Sequence, residues 1–313
     1  MKPEYSHTPI MPGEVLQLLK PEKGGLFVDC TLGGGGHAEA ILSVLPEGSR
    51  LIGIDRDRDA IEAASCRLKK FGTSFIPVRG NFFNIKKLME SLKIESVDGI
   101  LMDLGVSSYQ LDNPQRGFSY HADAPLDMRM DASQAFSAFD VVNGYPKTEL
   151  IRIIRNYGEE RFASRIAERI IGQREIRPIK STAELSDIIK SAVPGSSRWD
   201  GTHPARRTFQ AIRIEVNDEL AGLENALRDS EHLLNRFGRM VVITFHSLED
   251  RIVKQTFRSF ENPCICSPDA PVCVCGRKAT SRTVNKKPVT AGEEEIKINP
   301  RSRSAKLRAI EKL

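Results

Sequence analysis

The chain has 313 residues, 40% of them hydrophobic and 28% charged, which suits one large domain or two ordinary ones. No apolar run approaches the roughly 18 residues that span a membrane, and the N-terminal stretch lacks the apolar core of a secretion signal, so a soluble, cytoplasmic protein is expected. The net charge of +5 is uneven: residues 277–313 carry +7 and the remainder −2, which fits either a polyanionic partner or a solvated charged end.

In chain order, a Pro-punctuated entry (His7 to Pro12) precedes a helix predicted over Gly13 to Leu19, with Val15, Leu18 and Leu19 on one face. A buried strand, Leu26-Phe27-Val28, then runs into Asp29-Cys30-Thr31-Leu32-Gly33-Gly34-Gly35-Gly36-His37, and a helix leads out from Ala38 to Leu45. A strand ending in an acid, a glycine turn and a helix start together describe a nucleotide-binding turn. Glycine lets the backbone bend and a ligand approach, and the helix start offers unpaired N–H groups. The glycine spacing alone is ambiguous. Read from Gly33, the third glycine of a dinucleotide fingerprint falls on Ala38, and from Gly34 on Glu39. Asp29 favours a different ligand, because an acid repels a pyrophosphate but suits the cationic amino acid tail of S-adenosylmethionine.

A second buried strand, Arg50 to Ile54, ends in Asp55, nineteen residues after Gly36. An acid there grips the ribose hydroxyls of an adenosine ligand; the alternative is that it caps the helix predicted over Arg58 to Lys70. Ser74 to Val78 reads as a third strand, near an edge because of Pro77. Phe82 follows, either against an adenine ring or as core filler. A helix over Asn84 to Leu92 and a fourth strand, Val97 to Asp103, complete the alternation expected of a doubly wound parallel sheet.

Beyond Asp103 the rhythm changes. Loop-like segments give way to helices predicted over Thr148 to Asn156 and Glu159 to Arg174, a third opening at Ser181, and a long one from Pro204 to about Leu227. On the last, Arg206, Gln210, Arg213 and Asn217 share one face, which would line a nucleic-acid cleft or simply meet solvent. The sheet resumes at Arg239 to Thr244, followed by His246, facing cleft or core, and Ser247, a candidate N-cap. The expected organisation is a methyltransferase core, residues 1–104 and 213–313, with a helical substrate-recognition domain inserted at 105–212.

Four of the six cysteines, Cys264, Cys266, Cys273 and Cys275, fall within twelve residues among prolines. Four thiolates can close a structural zinc site, though paired ligands usually stand two to four residues apart and here only one intervenes. Reduced thiols and labile disulfides are the alternatives.

The glycine turn, Ile54-Asp55-Arg56-Asp57, Leu101-Met102-Asp103-Leu104-Gly105-Val106-Ser107-Ser108, Arg116-Gly117-Phe118-Ser119, Leu126-Asp127-Met128-Arg129-Met130-Asp131, Tyr157-Gly158-Glu159-Glu160-Arg161, Arg207-Thr208-Phe209-Gln210 and Phe245-His246-Ser247-Leu248-Glu249-Asp250-Arg251 are long shared strings. On these the chain resembles, nearly end to end, the bacterial 16S ribosomal RNA cytosine-N4 methyltransferases of the MraW type. The resemblance implies a class I, Rossmann-like methyltransferase sheet with an inserted helical domain. It implies methyl transfer from S-adenosylmethionine to a cytidine amine in the decoding region of 16S ribosomal RNA, within the small subunit. It puts cofactor contacts on Gly35, Gly36, His37, Asp55, Phe82, Asp103 and Gln110. Asp103 is the candidate catalytic acceptor, or else positions the cofactor. The Pro-Pro-aromatic string of many amino-group methyltransferases is missing after Asp103, so a stacking aromatic either comes from elsewhere, with Tyr109 and Phe118 as candidates, or is absent. Two rival readings are a nicotinamide-dependent dehydrogenase and a non-catalytic RNA-binding assembly factor.

Overall fold

The computed structural model describes residues 9–195, 203–267, 272 and 274–313. The chain forms two compact units, one spanning Val106–Glu219 and the other comprising the described residues up to Gly105 together with Leu220–Leu313.

In the second unit helix α1 (Pro12–Leu19) precedes β1 (Leu26–Asp29), α2 (Gly36–Leu42), β2 (Arg50–Asp55), α3 (Arg58–Arg67), β3 (Phe75–Arg79), α4 (Ile85–Ser91) and β4 (Val97–Asp103). β1, β2 and β4 are almost continuously apolar and buried, as strands covered on both faces must be. They pair in parallel, with β1 between β2 and β4, and β3 lies at the sheet edge where Pro77 is tolerated. The chain goes one way from β1 to β2 and β3, then back across to β4. Ligands of such sheets sit at that switch point, beyond the strand ends.

The helical unit holds α5 (Ser108–Asp112), α6 (Ala138–Gly144), α7 (Lys147–Asn156), α8 (Ala163–Ile176), α9 (Thr182–Ala192) and α10 (Arg206–Asn217). Its core includes Leu150, Ile153, Ile166, Ile170, Leu185 and Ile212. α8 begins later than its sequence suggests because Glu159 takes a positive φ of 48° and breaks the chain after α7. Ser181 caps α9 by accepting from the Glu184 amide.

The long helix predicted from Pro204 to Leu227 is two helices. Asp218 turns left-handed (φ 50°) and ends α10; α11 (Leu223–Leu233) then starts afresh. In the sheet unit Gly222 lets that start pass the Phe83 ring, since a Cβ there would lie 2.5 Å from a ring carbon.

β5 (Leu234–Thr244) joins β4 in parallel, and α12 (Ser247–Glu261) follows it. The basic C-terminal stretch is folded rather than a solvated tail. It contributes β6 (Ser281–Thr283), α13 (Glu293–Ile298) and β7 (Lys306–Lys312), with β7 antiparallel between β5 and β6. The sheet order is β3-β2-β1-β4-β5-β7-β6, the doubly wound class I methyltransferase arrangement. Among the described residues no helix is long and apolar enough to cross a membrane.

Candidate active site

Three acids end three adjacent strands: Asp29 on β1, Asp55 on β2 and Asp103 on β4. Register sets Asp29 opposite Gly53 on one side and Leu101 on the other, so Asp55 and Asp103 lie two residues further along their strands.

Asp29 is fully buried. Its Oδ1 accepts from the Thr31 amide at 3.0 Å, while its Oδ2 has no hydrogen-bond partner. Burial pushes its pKa up to about 6, more than the nearby His37 and the Thr31 amide pull it down. A buried, half-satisfied carboxylate at a ligand-binding strand end calls for a cation, and an amino group would complete it.

Asp55 is the joint of the glycine turn. Its Oδ2 accepts from the Gly33 amide at 2.8 Å and its Oδ1 from the Asp57 amide at 2.9 Å. Burial again pushes its pKa up to about 6 against those two bonds. The cap of α3 is Asp57, which accepts from Asp59, so capping is not what Asp55 does. Gly35 takes a left-handed φ of 77° as the N-cap of α2, with a Cβ position only 3.2 Å from Ala64 and Leu68 carbons. Both facts demand glycine. Gly36 opens the helix, and a Cβ there would press on the Pro9 ring at 3.2 Å.

His37, in the first turn of α2, is buried, and its Nε2 lies 3.5 Å from Asp103 Oδ2. Burial opposes its protonation, yet Asp103, Asp29 and Glu295 together raise its pKa above the ordinary value. Asp103 Oδ1 is buried without a partner. The Asp103 amide donates to Thr31 Oγ1 at 2.6 Å, and that hydroxyl lies 3.4 Å from Asp29 Oδ1. Thr31 therefore ties two strand tips together. Sequence reasoning passed over it, although an Asp-x-Thr turn at a strand end is a signal for such a side-chain bond.

Phe82 is half-buried, packed edge-on against Phe83 at 4.8 Å and against the core beneath the sheet. Gln110 belongs to the helical unit, where it closes a capping box: Ser107 Oγ accepts from its amide and its Oε1 accepts from the Ser107 amide.

Other side chains singled out in the sequence have structural duties. Gln210 donates to the Tyr157 carbonyl, Arg213 forms a two-pronged pair with Glu219, and Asn217 bridges the Met128 carbonyl and the Met130 amide. The polar face of α10 thus ties the helical unit together; of the four, Arg206 is the exposed one. Arg116 is buried and donates to the Arg129 and Met130 carbonyls, and Phe118 sits in the helical core, which removes it as a stacking surface. His246, rather than Ser247, caps α12, in a reciprocal box with Glu249. Asp250 takes Arg308 and Lys306.

Cys264, Cys266 and Cys275 bring their sulfurs within 4.8 Å of one another; Cys273 lies outside the described residues.

The model of the MraW methylase family matches residues 4–313. The "Ribosomal RNA small subunit methyltransferase H" of Carboxydothermus hydrogenoformans is 54% identical over 310 residues, covering 99% of each chain. The protein of the same description from Symbiobacterium thermophilum is 52% identical over 309 residues, covering 99% of this chain and 97% of its own. A solved rRNA methylase from Streptococcus thermophilus covers 96% of this chain at 10% identity with a TM-score of 0.40, too distant to bear on function. With the model matched almost end to end and relatives more than half identical over their full length, the chain belongs to the MraW methylase family.

Proposed function

We propose that the protein is a ribosomal RNA methyltransferase that transfers the methyl group of S-adenosylmethionine to the N4 amine of a cytidine in the decoding region of 16S ribosomal RNA. The observation that carries this reading is the full-length match to the family and to relatives described as small-subunit rRNA methyltransferases. The strand-tip acids support it.

The residues fit the cofactor. Asp29, with its unpartnered buried oxygen, would take the amino group. Asp55, at the second strand end, would take the ribose hydroxyls, and the Gly35–Gly36 backbone at the start of α2 would lie beside the cofactor. Phe82 would flank the adenine. Gln110, named by the family pattern alone, belongs to the helical unit. When bound, S-adenosylmethionine supplies an electrophilic methyl on a sulfonium that departs as a neutral thioether.

Cytosine N4 is a poor nucleophile because its lone pair is delocalised into the ring. Asp103 Oδ1 accepts a hydrogen bond from the amine, which localises that pair and aims it at the methyl. As nitrogen gains its new bond to carbon, it loses a proton to Asp103. His37, whose proton is held more firmly by the neighbouring acids, keeps the Asp103 carboxylate oriented from its other oxygen. The target base leaves its stack to reach this position.

The test is mass spectrometry of nucleosides after incubating the protein and labelled cofactor with small ribosomal subunits from cells lacking it. Labelled N4-methylcytidine in 16S RNA is expected. Tight RNA binding without label transfer would favour an assembly factor instead.

A further inference from the structure

Outside the strand-tip cluster, the segment between α12 and β6 is unlike the rest of the sheet unit. None of its described residues belongs to a helix or strand. Its apolar side chains turn outward: Ile265, Val272 and Val274 are 66%, 71% and 86% exposed. Among the described residues of the segment these side chains join no core, yet its thiols converge. Cys264 and Cys275 sulfurs lie 3.8 Å apart, and those of Cys264, Cys266 and Cys275 are all within 4.8 Å of one another. A tetrahedral zinc ion with Zn–S bonds of about 2.3 Å separates its sulfurs by about 3.8 Å. The Val274 amide donates to Cys266 Sγ at 3.4 Å, the kind of backbone bond that stabilises a thiolate ligand.

We infer that Cys264, Cys266 and Cys275 bind one zinc ion, which staples this segment to itself. Three soft thiolate donors suit zinc, and metal binding supplies the ordering energy that the missing apolar core does not. The inference is independent of the methyl-transfer reading, since none of these cysteines belongs to the strand-tip site.

The test is elemental analysis of full-length protein purified without chelator under reducing conditions. About one equivalent of zinc is expected per chain. A Cys264→Ser/Cys275→Ser variant should lose it while binding S-adenosylmethionine normally by calorimetry, whereas Cys66→Ser, a surface change on α3, should retain it. Should the double variant misfold, cobalt substitution of the unmutated protein gives a second reading, with tetrahedral d–d bands and thiolate-to-cobalt charge transfer expected. Metal-free protein whose thiols in this segment titrate readily, a disulfide between them, or an iron–sulfur chromophore would each overturn the assignment.

Discussion

The two ends of the one sheet treat their acids in opposite ways. Around β5, β6 and β7 every buried carboxylate is answered. Asp250 takes Arg308 and Lys306, Glu311 takes Arg239 and Arg282, and Glu231 takes Lys312 and the Ser281 hydroxyl. Burial works against the charge at each, yet these partners hold all three below their ordinary pKa. At the tips of β1 and β2 burial wins. Asp29 and Asp55 are pushed up to about 6, and Asp29 and Asp103 each keep a buried oxygen without a partner. Saturated acids hold a fold together. Unsatisfied acids at a strand-tip crevice are held ready for something that arrives.

Asp103→Asn should lower methyl transfer at saturating cofactor and RNA by about 10²-fold or more, with little change in urea unfolding. A near-normal rate would remove Asp103 from catalysis.

The next works at the saturated end. Glu311→Gln leaves Arg239 largely buried without its counter-charge and should destabilise the protein by about 3 kcal/mol in urea unfolding. Cofactor affinity should not change. A neutral variant would mean that this pair only decorates the sheet edge.

Asp55→Ala should weaken cofactor binding by more than about 1.5 kcal/mol in calorimetry. Two causes add: the ribose partner is lost, and so is the acceptor that holds the Gly33 amide. Unchanged affinity with an intact circular dichroism spectrum would rule out both.

Stability against pH sharpens the contrast without a mutation. Asp29 and Asp55 bind their protons more tightly folded than unfolded, so the stability they contribute is complete below pH 3.8 and is lost as pH rises through about 6. Asp250, Glu311 and Glu231 have lowered values, so theirs is present above the ordinary carboxylate range and lost as pH falls. Cofactor-free protein should therefore gain less Tm between pH 4 and 6 than the saturated acids alone would give. Bound cofactor should remove the penalty.

The fold was legible where burial writes a simple pattern. The spans Arg50–Asp55 and Val97–Asp103 appear in the structure as they read in the sequence, because strands buried on both faces are plain apolar runs ending in an acid. The acids at their tips were legible for the same reason. What was hidden depends on partners distant in sequence. The stripe of Gln210, Arg213 and Asn217 looks like a binding face until Tyr157, Glu219 and Met128 are beside it. The basic C-terminus also reads as an unstructured end, whereas β7 lies between β5 and β6, with Arg308 on Asp250. Asp tolerates a left-handed turn, but without a glycine or proline beside it Asp218 is a weak stop signal, so α10 and α11 read as one helix.

Asp29 and Asp55, both pushed up to about 6, would have to lose their protons to receive a cationic cofactor. Calorimetry of S-adenosylmethionine binding between pH 5 and 7, in buffers of different ionisation enthalpy, tests it most directly. Affinity should rise with pH, by up to about tenfold per unit below pH 6, with a proton released on binding that is reduced in Asp29→Asn. Affinity that is flat across this range, with no proton released, would contradict the account.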